Sequence, residues 1–427
     1  MSKRKEDIFN FSAISDECVK CGKCIPVCTI HNVNADEVTS PRGFIDLLGA
    51  YQKGKLDLDK TAKDIFESCF LCTACVEVCP KSLPTDMIIE QVRSDIAHKF
   101  GIAWYKKAFF LLLRHRWLND LAFKLGWVFQ TCGFKIKADI DSMNSRFSIP
   151  MLKADRVLPS LRKKSFLNSH PETIENGGKR KVAIFIGCLG NYNYKDVGDG
   201  LLEILEHLEI DAFLAKKQKC CSAPAYFTGD FDTVDNNAKF NIEYFESFSK
   251  DVEAIIVPEA TCSAMLKIDY EHYFHDQPEW KERAIAIKSK IFMATEWLQN
   301  HTHLEQLLAS KKKDMKIVTY HDPCHAKKMQ GIHAEPRNLI SKNYNIVEMS
   351  DPNTCCGFGG ITMQSEKYHF AQAAGVPKAA MIKKTAADIV SAECSACRMQ
   401  INNAMGSESK IIFKNPIELI AEALRKK

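Results

Sequence analysis

Residues 18–28 read Cys-Val-Lys-Cys-Gly-Lys-Cys-Ile-Pro-Val-Cys, and residues 69–80 read Cys-Phe-Leu-Cys-Thr-Ala-Cys-Val-Glu-Val-Cys-Pro. Both stretches contain the spacing C-x2-C-x2-C-x3-C, which lets one tight loop offer three thiolates to an iron–sulfur cube. In proteins with two such runs, the fourth cysteine of each run ligates the cluster of the other run. The spacing therefore predicts two [4Fe–4S] clusters, the first held by Cys18, Cys21, Cys24 and Cys79 and the second by Cys28, Cys69, Cys72 and Cys75.

Zinc is the alternative metal for a cysteine-rich sequence. Structural zinc sites show paired C-x2-C knuckles that give four ligands to each ion, whereas each run here holds four cysteines by itself. The doubled run favours iron–sulfur clusters. One departure from the usual run is that Thr29, and not proline, follows Cys28, although Pro26 can stiffen the same loop.

Composition narrows the classes of function. The chain has 427 residues, of which 46% are hydrophobic, enough for two or three folded domains. A net charge of +5 without a face-wide excess of Lys and Arg gives no reason to expect nucleic-acid binding. Because residues 1–7 are charged and precede no signal-like apolar segment, we expect a cytoplasmic protein. Its 18 cysteines are then more suited to metals or redox work than to disulfides.

Residues 181–427 look like two related halves, each with short apolar runs that precede cysteines. Short apolar runs alternating with helical patterns predict α/β units with a parallel sheet. Cysteines placed just after strands are expected to meet at the carboxyl edge of that sheet. In each half the Cys-Cys pair follows a helix-like segment. The cysteines of half one are Cys188, Cys220, Cys221 and Cys262, and those of half two are Cys324, Cys355, Cys356, Cys394 and Cys397.

The motifs resemble a known family of iron–sulfur subunits. Both cysteine runs and residues 40–48 are similar to the iron–sulfur subunits of bacterial glycolate oxidase, lactate oxidase and anaerobic glycerol-3-phosphate dehydrogenase. Residues 182–421, with 321–325, 355–360 and 415–419, resemble the cysteine-rich CCG domain of heterodisulfide reductases. The resemblance implies that the five cysteines of half two hold a third, non-cubane cluster, with zinc or free thiols as alternatives.

Half one departs from the CCG pattern. Ser222 replaces the glycine after the cysteine pair, and Met265 stands three residues after Cys262, where we expect the fifth cysteine. Four cysteines remain, so half one has either a four-ligand site or no metal. His321 and His325 flank Cys324 and either bond a cluster sulfur or relay protons, or are ordinary polar groups at a strand end.

The remaining segments give a domain prediction. We expect an N-terminal helical ferredoxin-type domain over 1–99, a connector over 100–180, and CCG domains over 181–310 and 311–427, an α+β and α/β architecture. Residues 104–134 mix aromatic and basic side chains, so they either pack on the protein or a partner or lie on the cytoplasmic face of the inner membrane. Residues 153–180 are interpreted as a linker, and Cys132 as a small core residue.

Function is constrained by motifs that we do not find. No G-x-G-x-x-G follows a strand, and no G-x4-GK[ST] loop or G-x-S-x-G elbow occurs, so we expect no flavin, substrate site or catalytic residue on this chain. The hydride step then needs an FAD-containing partner subunit. The favoured hypothesis is electron transfer from a glycolate oxidase-like flavoprotein toward quinone. The alternatives are the iron–sulfur subunit of glycerol-3-phosphate dehydrogenase, a heterodisulfide or quinone reductase acting at the second CCG site, and a zinc-dependent interaction module.

Overall fold

The computed structural model describes residues 11–137, 142–148, 156–359, 367–406 and 408–426. Within these ranges the α-helices are α1 (Phe11–Glu17), α2 (Thr29–Asn34), α3 (Pro41–Gln52), α4 (Lys60–Glu67), α5 (Ala74–Glu77), α6 (Thr85–Phe100), α7 (Trp104–Arg114), α8 (Arg116–Gly133), α9 (Phe166–Ser169), α10 (Gly187–Tyr192), α11 (Lys195–His207), α12 (Ala223–Tyr226), α13 (Phe231–Phe248), α14 (Ala260–Ala264), α15 (Tyr270–Tyr273), α16 (Pro278–Lys288), α17 (Ala294–His301), α18 (Leu304–Ala309), α19 (Cys324–Gln330), α20 (Ala334–Ser341), α21 (Tyr368–Lys384), α22 (Ser395–Met405) and α23 (Pro416–Arg425). The strands are β1 (Phe134–Lys137), β2 (Ser142–Ser145), β3 (Val157–Pro159), β4 (Thr173–Ile174), β5 (Arg180–Ile184), β6 (Ile210–Leu214), β7 (Ile255–Val257), β8 (Ile291–Met293), β9 (Ile317–Tyr320), β10 (Asn345–Ile346), β11 (Ile389–Ser391) and β12 (Ile412–Lys414). A 3-10 helix (Glu37–Thr39) precedes α3, and a π-helical segment (Met265–Asp269) follows α14.

The N-terminal region is helical around the two cysteine runs. Its longest helix, α6, buries Ile88, Val92 and Ile96 on one face, at the helical spacing that the sequence shows. This face packs against α3 and α4. The same hydrophobic core continues into half one, where it includes side chains of β5, β7 and α13.

The first CCG half is a five-stranded sheet in the order β4-β6-β5-β7-β8, parallel except for β4. Alternate residues of β5 face opposite sides, as the pleat of a strand requires. Ala183 packs in the core that contains α13, whereas Val182 and Ile184 pack with α11 and α17. The sheet is therefore covered by helices on both faces, which explains its uninterrupted apolar strands.

The second CCG half is a four-stranded parallel sheet in the order β10-β9-β11-β12. Val318 of β9 and Ile389 of β11 belong to the same core as the α11 face of half one, so the two halves are packed together. The segment 415–419 starts α23, where Asn415 and Glu418 form a capping box and Pro416 takes the first helical position. The predicted fold class is confirmed: a helical region around the two cysteine runs is followed by two α/β units.

The segment between the N-terminal helical region and half one corrects two interpretations of the sequence. Residues 156–180 are more than a linker, because β4 pairs with β6 and Phe166 is fully buried in the core of half one. Cys132 is exposed and is not a core residue. The sequence misleads here because aromatic side chains occur on all faces of α8, and only packing against other elements selects the face that is buried.

Helices α7 and α8 form a pair with one covered and one open face. Tyr105, Phe110 and Leu113 of α7 are buried, whereas Trp117 and Phe129 of α8 are 66% and 62% exposed. The open face is continuous along α8, where the exposed apolar residues are Trp117, Leu121, Leu125, Val128 and Phe129. Among the described residues, no helix combines the length and apolar character that crossing a bilayer requires.

Candidate iron–sulfur sites and the cavity between them

The first site is a small cavity that gathers Cys18, Cys21, Cys24 and Cys79. Left-handed backbone at Lys20 and Gly22, with φ of 55° and 74°, curls the loop so that its thiols converge. These four cysteines are the set that the crossed-ligation rule requires. Cys21 is exposed, so this site lies at the surface.

The second site is a neighbouring cavity that gathers Cys28, Cys69, Cys72 and Cys75. Cys75 lines both cavities, so the two sites adjoin. The Thr29 hydroxyl lies 3.5 Å from Cys72 Sγ, so the residue that departs from the usual motif contacts a thiol of this site. Burial raises the pKa of Cys69 to about 11. A group of thiols this buried suits a bound metal that displaces their protons.

Half two gathers its five cysteines at the carboxyl edge of its sheet. Cys324 starts α19, the Cys355-Cys356 pair follows β10, and Cys394 and Cys397 stand at the start of α22. Cys356 Sγ and Cys397 Sγ are 3.4 Å apart. All five line one cavity of about 350 Å³. The donor set is all sulfur and therefore fits an iron–sulfur cluster, and it also fits zinc.

Basic and imidazole side chains surround the thiols of half two. Lys328 Nζ lies 3.7 Å from Cys324 Sγ, one helical turn away on α19, and its charge suits a group of thiolates. His321 is fully buried and donates from Nδ1 to the Pro352 carbonyl at 3.2 Å. Its Nε2 has no nitrogen or oxygen partner among the described residues, and a ring nitrogen of His321 lies within 4.8 Å of Cys356 Sγ and Cys397 Sγ. This environment would fit a metal centre held by Cys356 and Cys397, to which the His321 imidazole would offer a ring nitrogen.

His325 lies on the wall of the same cavity and stacks on Phe227 with 5.6 Å between ring centroids. Burial lowers the pKa of His325 to about 4, and burial also lowers the pKa of His321. Both imidazoles are therefore neutral at pH 7 and are able to act as hydrogen-bond partners in the cavity. Their role in function stays a prediction.

Half one repeats this arrangement with four cysteines. Cys221 Sγ and Cys262 Sγ are 3.4 Å apart, the same distance as Cys356 Sγ to Cys397 Sγ. Ser222 has a φ of 75°, close to the 85° of Gly357 in half two. The turn after the cysteine pair is thus kept in half one, and Ser222 adopts left-handed backbone that glycine takes at lower cost.

The expectation about Met265 is wrong. Cys262 is the third residue of α14, just as Cys397 is the third residue of α22, so Cys262 matches Cys397 and not Cys394. The residue that matches Cys394 is Glu259, the N-cap of α14. Met265 is fully buried in the hydrophobic core.

The sites of the N-terminal region and of half two are in contact. Cys72 lines the same cavity as Cys324 and Cys355, and α5, which follows Cys72, packs against α19. Interaction with the Cys355 thiol and the charge of Lys328 hold the pKa of Cys72 well below its ordinary value. Ten cysteines line the 350 Å³ cavity, namely Cys72, Cys188, Cys220, Cys221, Cys262, Cys324, Cys355, Cys356, Cys394 and Cys397. Sequence reasoning missed this contact and Lys328, although the i, i+4 spacing of Lys328 from Cys324 on a helix was a usable signal.

The rest of the cavity wall is mostly apolar. Helix α7 contributes Tyr105, Phe109 and Phe110 to an aromatic lining that also includes Phe70, Phe227 and Phe358. The cavity thus combines Cys72 and the cysteines of both halves with a wall that suits an apolar molecule.

Comparison with known protein families agrees with this architecture. The family described as a cysteine-rich domain, CCG, matches residues 182–267 and 318–402, and the 4Fe-4S dicluster domain family matches residues 14–83.

Curated relatives align over most of the chain. The probable glycolate oxidase iron-sulfur subunit of Bacillus subtilis is 28% identical over 95% of this chain and 93% of its own length. Lactate utilization protein A of Bacillus licheniformis is 32% identical over 57% of this chain and 98% of its own length. One of the subunits of fumarate reductase (CoM/CoB) from Methanothermobacter marburgensis is 27% identical over 94% of this chain and 71% of its own length.

Among solved structures, a hypothetical protein from Helicobacter pylori has a similar fold, with a TM-score of 0.52 and 9% identity. The similarity covers 95% of this chain and 72% of the other. At this identity the comparison concerns the fold alone.

Proposed function

Because the chain belongs to the family of iron–sulfur proteins that includes the glycolate oxidase iron-sulfur subunit and lactate utilization protein A, we propose that it carries electrons within a flavin-linked dehydrogenase complex. Its class is that of the iron–sulfur, electron-transfer components of oxidoreductases. Bound [4Fe–4S] clusters supply single-electron transfer and cannot accept a hydride from an alcohol. The proposal therefore needs a partner subunit with FAD.

The cavity that Cys72 shares with Cys355 carries this proposal. It joins the N-terminal cysteine sites to the cysteines of half two. Together with Cys75, which lines both N-terminal cavities, it makes an uninterrupted series of sites from the exposed Cys21 to the inner cavity. A relay needs neighbouring sites of this kind, whereas a zinc-dependent structural module has no use for them.

The exposed end of this series is where we place the flavoprotein partner. Val19 and the Lys20 ammonium next to Cys21 are exposed, so a partner reaches this site without any rearrangement. Its substrate is proposed to be a 2-hydroxy acid, with glycolate first and lactate second, because of the relatives at 28% and 32% identity. Glycerol 3-phosphate is the alternative substrate.

The inner cavity favours a second candidate function, reduction of a quinone or a disulfide beside the cysteines of half two. Its volume of about 350 Å³ and its aromatic wall suit a quinone ring.

Residues 104–137 carry seven Lys and Arg residues but one acidic residue, Asp120. We therefore propose that the open face of α8 rests on the anionic inner surface of the membrane, from which a quinone reaches the cavity beside α7.

Replacing Cys72 tests the relay. In the complex with its flavoprotein, Cys72→Ser should leave reduction of the partner flavin by substrate unchanged and abolish reduction of a quinone analogue. The matched control is Cys132→Ser, which removes an exposed cysteine that lies outside every motif and should behave as the wild type. Quinone reduction at the wild-type rate in Cys72→Ser would refute the proposed relay.

A further inference from the structure

Half one has four cysteines at its site, and the structure assigns it a fifth donor of a different kind. We propose that the carboxylate of Glu259 binds iron at the half-one site, in the place that Cys394 takes in half two. This goes beyond electron transfer through the N-terminal sites. It rests on the premise that the cysteines of half one hold an iron–sulfur centre.

The backbone equivalence of Glu259 and Cys394 is the first argument. Glu259 is the N-cap of α14 with φ −143° and ψ 112°, and Cys394 is the N-cap of α22 with φ −149° and ψ 114°. Each residue stands three positions before a cysteine whose Sγ is 3.4 Å from the second thiol of the Cys-Cys pair. The first atoms of both side chains are therefore directed the same way in their halves.

The surroundings of Glu259 are the second argument. Its side chain is 7% exposed and lines the cavity beside the four cysteines of half one. Gly187 has a φ of +71°, and a Cβ added there would lie 2.9 Å from Cys262 Sγ and 4.0 Å from Glu259 Cγ. Glycine thus leaves one shared space in front of the Cys262 thiol and the Glu259 side chain.

The hydrogen bonding of Glu259 is compatible with metal binding. Its Oε2 accepts the backbone N–H of Ser395 at 2.7 Å, across the contact between the two halves. A carboxylate has lone pairs on its second oxygen, so this bond orients the group without using all of its donor capacity. The neighbouring buried glutamate Glu393 differs, because both of its oxygens accept hydrogen bonds from Thr295. Its Oε1 accepts the backbone N–H at 3.4 Å and its Oε2 accepts the hydroxyl at 2.5 Å.

A carboxylate in place of a thiolate changes the centre chemically. Carboxylate oxygen is a harder ligand than thiolate sulfur. Ligand type and net charge set the properties of an iron–sulfur centre. The half-one centre should therefore be spectroscopically distinct from that of half two.

Two cysteine substitutions distinguish whether Glu259 or Met265 occupies the position of the missing thiol in half one. In the full chain purified without air, Glu259→Cys should complete a five-thiolate set, so that the electron paramagnetic resonance signal of half one comes to match that of half two. Met265→Cys tests the alternative alignment, in which Cys262 matches Cys394. It places a thiol in the hydrophobic core and should leave the spectrum unchanged. A spectral change in Met265→Cys with none in Glu259→Cys would overturn the proposal.

Glu259→Gln is the complementary variant, because glutamine keeps an oxygen that accepts the Ser395 N–H and so preserves the fold. It should lower iron per chain, or alter the half-one signal at full iron, while the thermal midpoint stays at the wild-type value. Cys188→Ser checks the premise and should also lower iron. Wild-type iron in Cys188→Ser would remove the centre and with it the proposal. Lowered iron in Cys188→Ser with wild-type iron and spectrum in Glu259→Gln would overturn the carboxylate ligand alone. None of these outcomes depends on electron flow through Cys72.

Discussion

Arg93 should be the residue whose conservative replacement most weakens the junction between the N-terminal sites and half one. Its guanidinium is buried and donates to three backbone carbonyls. Nη2 bonds Cys69 O at 2.7 Å, Nη1 bonds Phe227 O at 3.0 Å, and Nε and Nη2 both bond Phe66 O, at 3.3 and 3.1 Å. One side chain thus joins the loop that carries Cys69 to the body of half one.

Arg93→Lys keeps the charge but loses the planar fork, and one ammonium cannot reach all three carbonyls. Two carbonyls are then left without a donor in the interior, at about 1–3 kcal/mol each. The expected destabilisation is about 3 kcal/mol, a large part of a typical stability of about 5–15 kcal/mol. With a urea dependence of about 3 kcal/mol per molar, the unfolding midpoint should fall by about 1 M.

The assay is urea unfolding of the anaerobically purified protein, followed by far-ultraviolet circular dichroism and by visible absorbance of the clusters. Arg180→Lys is the matched control, because Arg180 pairs with Glu253 at the surface, where such pairs contribute about 0–1 kcal/mol. In Arg93→Lys the visible absorbance should be lost at lower urea than in the control, since Cys69 is released first. Equal midpoints for the two variants would refute this reasoning.

Two further predictions concern stability against pH and the membrane. Burial raises the pKa of Asp269, whose Oδ2 has no hydrogen-bond partner among the described residues. The folded state then keeps a proton that the unfolded chain releases, so stability falls as pH rises from the ordinary carboxyl pKa toward the raised one. The thermal unfolding midpoint of Asp269→Asn should therefore lie a few degrees above that of the wild type, with a larger difference at about pH 8 than at about pH 5. The exposed control Asp251→Asn should unfold at the wild-type temperature. A difference for Asp269→Asn that does not depend on pH would contradict this. Trp117→Glu should lower binding to vesicles containing anionic lipid several-fold, since it places a negative charge on the open face of α8. The control Ile285→Glu, at another exposed position, should bind as the wild type does. Equal binding by the two variants would exclude α8 as the membrane contact.

The sequence was most informative where chemistry depends on spacing. The crossed ligation stays a prediction, and in the structure Cys79 lines the cavity of the first run and Cys28 lines that of the second run. The parallel sheets followed from apolar runs that end at cysteines, because strands buried on both faces carry no polar alternation.

The sequence misled where a local match competed with backbone geometry. Residues 262–264 and 394–396 both read Cys-Ser-Ala, which aligns Cys262 with Cys394 and places the missing thiol at Met265. The helix starts show instead a shift of three residues, which puts Glu259 at that position. The sequence gives no signal for a helix N-cap at a residue such as Glu259, because glutamate is not a usual capping residue.

Contacts between distant segments were also beyond the sequence. Cys72 and Cys355 are 283 positions apart, and nothing in either motif indicates that they line one cavity. The strand β4 has two residues and no measurable periodicity, so its pairing with β6 was hidden in what resembled a linker.

The most direct test of the account is an iron and acid-labile sulfide count on the wild-type chain purified without air. We predict a brown protein with at least about eight iron and eight sulfide per chain, the content of two [4Fe–4S] clusters, and a higher count if the CCG halves are also occupied. A colourless protein that contains zinc or no metal would contradict it.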